Sequence, residues 1–348
     1  MNPLSTTSKI DRIVSCGGKD FLYFGGTAYL GMGSVPEFEE MIRDGIRQYG
    51  PNYGASRSGN LQLEVYREME SLFASGSGAE KAVVMSSGFM AGHVTTATLK
   101  NLSDEIWIAP GTHPAILPEG GEPPRLQTFE EFKEKCVEAS RQVRGKTIAI
   151  LANAVDPLAP GIHDFEWVRE LSGQNTYYLL IDDSHAFGLI GNGIYGTYAQ
   201  WKGLPVNLII SGSLGKALGI PAGIILGSSV FVDKITRNPI FISASPPSPG
   251  VCLAFIKAQA LYTIQQKRLR ANLEYFYGLV KESPAIRFRK DFPVAVFFQM
   301  GWAEKLQHRQ ILISSFPYPS PEDAPMDRIV ISAYHTPDDL DRLAEGMK

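Results

Sequence analysis

The strongest constraint on the fold is an alternation of short apolar runs with amphipathic segments in the middle of the chain. The apolar runs have the length of strands and lie at 81–87, 146–153, 176–185, 206–213 and 222–228. The segments between them, such as 88–101 and 164–174, have a helical pattern. Nearly continuous apolar strands are typical of a parallel sheet that is buried on both faces. The pattern therefore predicts an α/β fold with a mostly parallel sheet.

The C-terminal third has a different pattern. A long helical stretch begins near Pro249, strand-like runs follow at 293–299 and 327–333, and a final helix is expected at 336–347. The Pro-rich stretch 316–326 is expected to be a loop. This part of the chain predicts a smaller α+β domain.

We expect a large cofactor-binding domain at 49–244 and a small domain formed by 1–48 and 245–348. A chain of 348 residues is long enough for two domains. The N-terminal strand-like and helical segments are expected to pack with the C-terminal part.

The composition excludes several classes of partner. The formal net charge is -3, and the basic residues are scattered rather than clustered, so nothing indicates a nucleic-acid or membrane surface. No apolar run approaches the ~18 residues of a membrane span. The three cysteines form no CxxC pair, which indicates neither a disulfide framework nor a metal site. We therefore expect a cytoplasmic protein with no metal.

Polar residues follow three of the predicted strands. Ser86 to Phe89 follow the first, Asp182 to His185 end the third, and Ser211 to Lys216 end the fourth. Ligands bind at the carboxyl ends of strands in open α/β sheets. Each group alone has an ordinary structural explanation, but together they bring phosphate donors, a carboxylate, an imidazole and an amine to one edge.

These groups match the needs of pyridoxal phosphate catalysis. A lysine amine can form a Schiff base with the cofactor aldehyde, and a carboxylate can keep the pyridine nitrogen protonated. Serine hydroxyls and a helix N-terminus can hold the phosphate. The glycines around Lys216 allow the ring to approach closely. The pattern predicts a pyridoxal phosphate enzyme with Lys216 as the cofactor lysine.

From about Tyr29 onward the chain resembles the α-oxoamine synthase group of fold-type I pyridoxal phosphate enzymes. "IDDSHAFGLIGNGIYG" is similar to the family's Asp-Asp-x-His-x-x-Gly segment, which implies Asp182 at the pyridine nitrogen and His185 near the ring hydroxyl. "SGSLGKALG" is similar to the family's lysine segment, which implies Lys216 as the Schiff-base residue and Ser213 at the phosphate. The resemblance also implies a seven-stranded sheet between helices in the large domain.

Two further segments resemble cofactor contacts of the family. "SSGFMAG" is similar to the phosphate turn, so Ser87, Gly88 and Phe89 are expected to line the cofactor. "GTHPAI" stands in the place of the Asn-His-Ala-Ser segment, which implies that His113 stacks on the cofactor ring.

Other segments concern the substrate and a second subunit. "FISASPPSP" resembles the segment that reaches a neighbouring subunit's phosphate and implies Ser243. "DRIVISAYHTPDDLDRL" resembles the strand whose arginine holds the amino-acid carboxylate and implies Arg328. The chain departs from the family at Thr27, where an Asn near the substrate is usual. It also has "ANAVDPLAPGIHDF" where a Glu-Gly-Val-Phe segment is usual, with Asn153 in the place of the Glu as a cofactor contact.

The resemblance implies an acyltransferase in which Lys216, His113, Asp182 and His185 are catalytic. A small amino acid would lose its Cα proton to the lysine and attack an acyl-CoA thioester, and the product can then lose CO2. A homodimer with a shared active site is also implied. The departures from the family leave an aminotransferase or an aldol-type lyase with the same cofactor as alternatives.

An interpretation from another class is a nucleotide-binding α/β protein. The P-loop spacing is absent, because Ala217 follows the lysine. A nucleophile-elbow hydrolase is not indicated either, since no Gly-x-Ser-x-Gly lies at a strand-to-helix turn. Among the other histidines, His93 and His335 are expected to have structural roles, and His163 and His308 are expected at the surface.

Overall fold

The computed structural model describes residues 4–124, 128–156, 161–317 and 323–348. The strands are β1 (Ile13–Cys16), β2 (Lys19–Phe24), β3 (Lys81–Met85), β4 (Glu105–Ile108), β5 (Thr147–Asn153), β6 (Val155–Asp156), β7 (Gly161–Ile162), β8 (Thr176–Asp182), β9 (Asn207–Ser213), β10 (Gly223–Gly227), β11 (Ile286–Phe288), β12 (Val294–Phe297), β13 (Ile311–Pro317) and β14 (Pro325–Val330). The α-helices are α1 (Pro36–Tyr49), α2 (Glu64–Ser77), α3 (Gly88–Leu102), α4 (Phe129–Gln142), α5 (Tyr198–Trp201), α6 (Ser229–Thr236), α7 (Pro239–Ser243), α8 (Pro249–Lys257), α9 (Gln259–Val280), α10 (Trp302–His308) and α11 (Pro337–Gly346). Short 3-10 helices lie at Met32–Ser34, Pro114–Ile116 and Glu166–Glu170. Within the described residues, none of the helices has the length and apolar character needed to cross a membrane.

The chain divides into two compact units. The larger unit comprises Glu40–Asp156 and Ile162–Gln259, and the smaller comprises Met1–Glu39, Pro157–Gly161 and Ala260–Lys348. Each unit contains its own six-stranded sheet. The domain boundaries expected from the sequence stay a prediction.

The sheet of the larger unit has the strand order β3-β10-β9-β8-β5-β4. The pairs β9–β8, β8–β5 and β5–β4 are parallel, whereas β10 runs antiparallel to both of its neighbours. Consecutive residues of β5, from Ile148 to Ala152, are completely buried, which requires cover on both faces of the sheet. The predicted α/β class with a mostly parallel sheet is confirmed, and the described residues contain six of the seven expected strands.

One face of this sheet packs against α3 and leads to a row of polar residues at its edge. The apolar cluster on that face includes Leu151, Leu180 and Ile209 together with Val94 and Leu99 of α3. Because side chains alternate between faces along a strand, Asn153, Asp182 and Ser211 project from the same face two positions further on. Asn153 lies opposite Asp182, and Asp182 lies opposite Ser211. The carboxyl ends of β5, β8 and β9 therefore present three neighbouring polar side chains.

The sheet of the smaller unit is mixed, with the order β1-β2-β13-β14-β12-β11. β2 and β13 pair in parallel, and β1 and β2 form a hairpin. The turn of this hairpin is Gly17-Gly18, with φ values of 57° and 76°. A two-residue type I′ turn requires this left-handed backbone at both positions. With α10 and α11, this sheet agrees with the predicted α+β character.

Three local predictions differ from the structure. The expected helix at 164–174 is only the 3-10 turn Glu166–Glu170, because the backbone becomes extended at Leu171. The expected continuous helix after Pro249 is divided into α8 and α9, since the backbone leaves the helical region at Ala258. The expected loop at 316–326 has strand residues of β13 and β14 at its two ends, and 318–322 lie outside the described residues.

Candidate active site

Asp182 is the buried carboxylate at the edge of the larger unit's sheet, with 6% of its surface exposed. Its Oδ1 accepts a 2.8 Å hydrogen bond from the N–H of Ser184, and its Oδ2 lies 4.0 Å from Nδ1 of His113. The Oγ of Ser184 in turn accepts a 2.8 Å hydrogen bond from the N–H of Ser213. The turn after β8 is thus tied to the end of β9, and the carboxylate is held beside His113.

His113 begins the 3-10 turn Pro114–Ile116. Its Nδ1 accepts a 3.1 Å hydrogen bond from the N–H of Ala115, so the neutral ring carries its proton on Nε2. Partial burial lowers the pKa of His113, the carboxylate of Asp182 opposes this shift, and the charge of Lys216 adds to it. The imidazole is therefore neutral at pH 7 and is coupled to both charged groups.

Asn153 ends β5 and lies between Asp182 and the backbone of the turn that carries His113. Its side chain is 7% exposed. Oδ1 accepts a 3.0 Å hydrogen bond from the N–H of His113, and Nδ2 donates a 2.7 Å hydrogen bond to the carbonyl of Gly111. Asn153, which the sequence predicts as a cofactor contact, thus already uses its amide to bridge two backbone groups.

Lys216 stands in the loop between β9 and β10 and is half-buried. A backbone hydrogen bond of 2.9 Å from Leu214 to Ala222 closes the base of this loop, and Leu214 is completely buried. The Oγ of Ser213 accepts a 3.2 Å hydrogen bond from the N–H of Gly215. The loop is therefore anchored on both sides of the lysine, at the same sheet edge as Asp182.

The predicted phosphate turn lies against this lysine loop. Ser87 caps α3, since its Oγ accepts a 3.2 Å hydrogen bond from the N–H of Met90. The turn packs so closely that neither Gly88 nor Gly223 has room for a side chain. A Cβ at Gly88 would lie 2.4 Å from Cβ of Ser213, and a Cβ at Gly223 would lie 2.1 Å from the carbonyl oxygen of Ser87. The first N–H groups of a helix lack intrahelical partners and form its positive end. This end of α3 can bind an anion beside Ser213.

Two polar residues of this edge were not among the predicted site residues. Ser211 is buried opposite Asp182, and its Oγ has no hydrogen-bond partner in the described part of the chain. Asp183 is completely buried, and its carboxylate accepts hydrogen bonds of 2.6 and 2.8 Å from the N–H and hydroxyl of Thr197. Burial raises the pKa of Asp183 to about 7, against the effect of the Thr197 bonds. The sequence places both residues among the polar groups that follow the predicted strands, but it assigns neither of them a role.

Phe89 and Ser243 are the exposed members of the predicted set. The side chain of Phe89 is 55% exposed, and its ring stacks on His93 with the centroids 6.2 Å apart. Ser243 ends α7 and is exposed. His185 is half-buried in the turn after β8. Phe89 and Ser243 are therefore open to solvent in a single chain.

The expectation that His163 is a surface residue is wrong. Its Nδ1 donates a 2.9 Å hydrogen bond to the carbonyl of Asn153. Its ring is stacked on Phe129 with the centroids 3.8 Å apart, and burial lowers its pKa. His163 is half-buried because these two contacts hold it against the end of β5.

The two predicted substrate residues belong to the smaller unit. Arg328 lies in β14, is 7% exposed, and has its guanidinium carbon 5.0 Å from the ring centroid of Phe316. Its Nε is buried and has no hydrogen-bond partner in the described chain. Thr27 lies in the segment after β2, where its carbonyl accepts a 2.8 Å hydrogen bond from the N–H of Tyr29. A buried guanidinium with an unused N–H is suited to a carboxylate ligand.

The residues of the larger unit's sheet edge fit pyridoxal phosphate. The N-terminus of α3 and Ser213 form an anion-binding end, and the buried Asp182 forms an acidic end suited to a protonated ring nitrogen. Beside that carboxylate, the hydroxyl of Ser211 has no hydrogen-bond partner among the described residues. Lys216 supplies an amine whose charge acts on His113. The donor set therefore has a phosphate end, a ring-nitrogen end and an amine.

The family model and the similar proteins described below indicate the same family. The sequence model of the family described as aminotransferase class I and II matches residues 28–347. The chain is 26% identical over 347 residues to 8-amino-7-oxononanoate synthase of Lysinibacillus sphaericus, covering 95% of this chain and 89% of that protein. It is 25% identical over 346 residues to the enzyme of the same name from Petrotoga mobilis, covering 94% and 88%.

Solved structures share the fold. Serine palmitoyltransferase of Sphingomonas wittichii superposes with a TM-score of 0.81 at 14% identity, covering 99% of this chain and 90% of that chain. 8-Amino-7-oxononanoate synthase of Francisella tularensis superposes with a TM-score of 0.69 at 20% identity, covering 94% and 96%. The similarity to both structures extends over nearly the whole chain.

Proposed function

The chain belongs to the class I and II aminotransferase family, and from that membership we propose that it condenses a small amino acid with an acyl-CoA thioester to an α-amino ketone. Its family and relatives make it a pyridoxal-phosphate-dependent transferase of the α-oxoamine synthase type. The observation that carries the proposal is the buried carboxylate of Asp182 beside His113, at the same sheet edge as Lys216.

When bound, pyridoxal phosphate supplies an aldehyde for amines and a ring that withdraws electrons from the substrate Cα. We propose that the N-terminus of α3, Ser87 and Ser213 bind its phosphate. Lys216 holds the aldehyde carbon through Nζ. Asp182 would keep the ring nitrogen protonated, because a buried carboxylate can stabilise a nearby positive charge.

The remaining proposed roles concern the substrate. Arg328 binds the carboxylate of the amino acid through its guanidinium, whose Nε is unused in the described chain. Lys216 would accept the Cα proton of the substrate at Nζ. His113 and His185 would hold the cofactor ring. Thr27 contacts the substrate.

The acyl donor is proposed from the relatives. Proteins named 8-amino-7-oxononanoate synthase are similar to this chain over nine-tenths of its length, which supports a thioester donor and an α-amino ketone product. Glycine- or alanine-sized amino acids are the proposed nucleophiles. A 2-amino-3-ketobutyrate CoA ligase-like reaction is the same chemistry with a short acyl chain.

We also propose a homodimer with a shared active site. Phe89, Leu61 and Ile242 are large apolar side chains of the larger unit that are 55%, 73% and 40% exposed. We propose that these side chains belong to a surface covered by the partner, since a large exposed apolar patch marks a protein–protein contact. Ser243, exposed at the end of α7 next to Ile242, is proposed to reach the neighbouring subunit's phosphate. The proposed cofactor domain is 49–244.

The experiment is a measurement of free CoA released from a panel of acyl-CoA thioesters with glycine, alanine or serine. We expect CoA release that depends on both substrates and on pyridoxal phosphate, and that is lost in Lys216→Ala. Lys202→Ala is the matched control and keeps the activity. Amino-group transfer to a keto acid, or cleavage of a β-hydroxy amino acid, without CoA release would show that the acyltransferase proposal is wrong.

A further inference from the structure

The carboxamide of Asn153 bridges two backbone groups of the turn that carries His113. It donates 2.7 Å to the carbonyl of Gly111 and accepts 3.0 Å from the N–H of His113. The bond to Gly111 requires a donor on the side chain, and the bond from His113 requires an acceptor on the side chain. A carboxamide has both, whereas an ionised carboxylate can only accept. Because the side chain is 7% exposed, water does not readily replace either bond.

Other contacts fix the turn on both sides of His113. The hydroxyl of Thr112 donates 2.6 Å to the carbonyl of Ala109, and the N–H of Ala109 donates 2.9 Å to the carbonyl of Leu151 in β5. On the far side, a Cβ at Gly92 of α3 would lie 2.4 Å from the carbonyl oxygen of Ala115. With the flanking backbone held to β5 and α3, the remaining freedom is the orientation of the peptide and ring of His113. The carboxamide constrains that peptide directly.

We propose that Asn153 is a positioning residue, which orients His113 beside Asp182 through the backbone and does not itself bind the cofactor. The significance for catalysis rests on the proposed function, in which His113 would hold the cofactor ring. The proposal also accounts for the asparagine at a position where the resembling family has a glutamate. A glutamate carboxylate could not donate to the carbonyl of Gly111.

The pKa of His113 can be used to detect a change in the orientation of its ring. Its ring is affected by partial burial, by Asp182 and by Lys216, and burial is the largest of these effects. When the carboxamide is removed, the ring gains contact with water, so its pKa rises toward the ordinary value of about 6.5. An aspartate at position 153 keeps the bond from the His113 N–H, loses the bond to Gly111 and adds a negative charge, which also raises the pKa.

The experiment is an NMR titration of histidine side chains in the protein without cofactor or substrate. The chain has six histidines, so histidine-selective labelling gives a tractable spectrum, and His113→Gln assigns the resonance. Asn153→Ala and Asn153→Asp are each expected to raise the pKa of His113 relative to wild type, because the ring loses part of its burial or gains a neighbouring negative charge. Asn207→Ala removes a 3.1 Å bond to the carbonyl of Tyr177 at the other end of β9 and is the matched control.

An unchanged pKa of His113 in both folded Asn153 variants would overturn the proposal. An equal shift in Asn207→Ala would overturn it too, because the effect would then be a general loss of stability. The titration is independent of turnover. A shifted pKa in a protein that releases no CoA would therefore count against the proposed reaction and not against the positioning of His113.

Discussion

Replacement of Asp183 by asparagine should make the stability of the protein less dependent on pH. The carboxyl group is completely buried, and burial raises its pKa from 3.8 to about 7. Two hydrogen bonds from Thr197 hold the ionised form, but they do not compensate for the lost hydration. An asparagine can keep this geometry, since its oxygen accepts from the Thr197 N–H and its amide donates to the Thr197 hydroxyl.

The sign and size of the effect follow from the two ionisation states. Below pH 3.8 the carboxyl is protonated in both the folded and the unfolded chain. Between pH 3.8 and about 7 the folded state retains a proton that the unfolded state has lost. The free energy of unfolding therefore falls by about 1.4 kcal/mol for each pH unit as the pH rises through this window. The full effect is about 4 kcal/mol at pH 8, and about 3 kcal/mol of it develops above pH 5.

The assay is urea unfolding of the wild-type protein and Asp183→Asn without cofactor at pH 5, 6, 7 and 8. We expect the free energy of unfolding of the variant, relative to wild type, to increase by about 3 kcal/mol from pH 5 to pH 8. Asp233→Asn is the control: its hydrogen bond to Lys81 lowers the pKa of Asp233, so its titration is complete below pH 5. A difference in the free energy of unfolding between wild type and Asp183→Asn that stays constant with pH would show that the Asp183 carboxyl is not protonated above pH 5 in the folded protein.

Two further substitutions test how the sheet edge is built. Ser87→Ala removes the hydrogen bond that caps α3 at Met90. We expect the free energy of unfolding, measured with urea, to fall by about 1 kcal/mol, and pyridoxal phosphate to bind more weakly in a fluorescence titration. Unchanged binding would contradict a role of Ser87 at the phosphate. Arg57→Met leaves Glu70 unpaired in a site where the two side chains are 14% and 15% exposed. Glu70 also accepts from the N–H of Val84, so we expect a loss of about 3–5 kcal/mol in urea unfolding, and a loss below 1 kcal/mol would contradict it.

The sequence was sufficient to predict the fold class and the edge of the sheet that carries the polar residues. The apolar runs around Leu151, Leu180 and Ile209 are local features, and they lie in strands of one sheet. Parallel strands bring their carboxyl ends together, so Asp182 and Lys216 were predicted at the same edge. The antiparallel direction of β10 was not predicted, because a short apolar run has no direction in the sequence.

The contacts that orient the site were not predicted, because they join residues far apart in the chain. Asn153 meets the N–H of His113, 40 residues away in sequence, and Asp183 meets Thr197, 14 residues away. No periodic pattern records such pairings. The burial of His163 depends on its stacking partner Phe129, which lies in α4, and the sequence analysis does not predict that helix.

Identification of the residue that carries pyridoxal phosphate tests the proposed function most directly. The purified protein is incubated with the cofactor, reduced with borohydride, digested, and analysed by mass spectrometry. We expect a visible absorption band that borohydride bleaches, and we expect the cofactor to be attached to the peptide that contains Lys216. Both signals should vanish in Lys216→Ala and persist in Lys202→Ala. A protein that stays colourless, or a label on another lysine, would contradict the account.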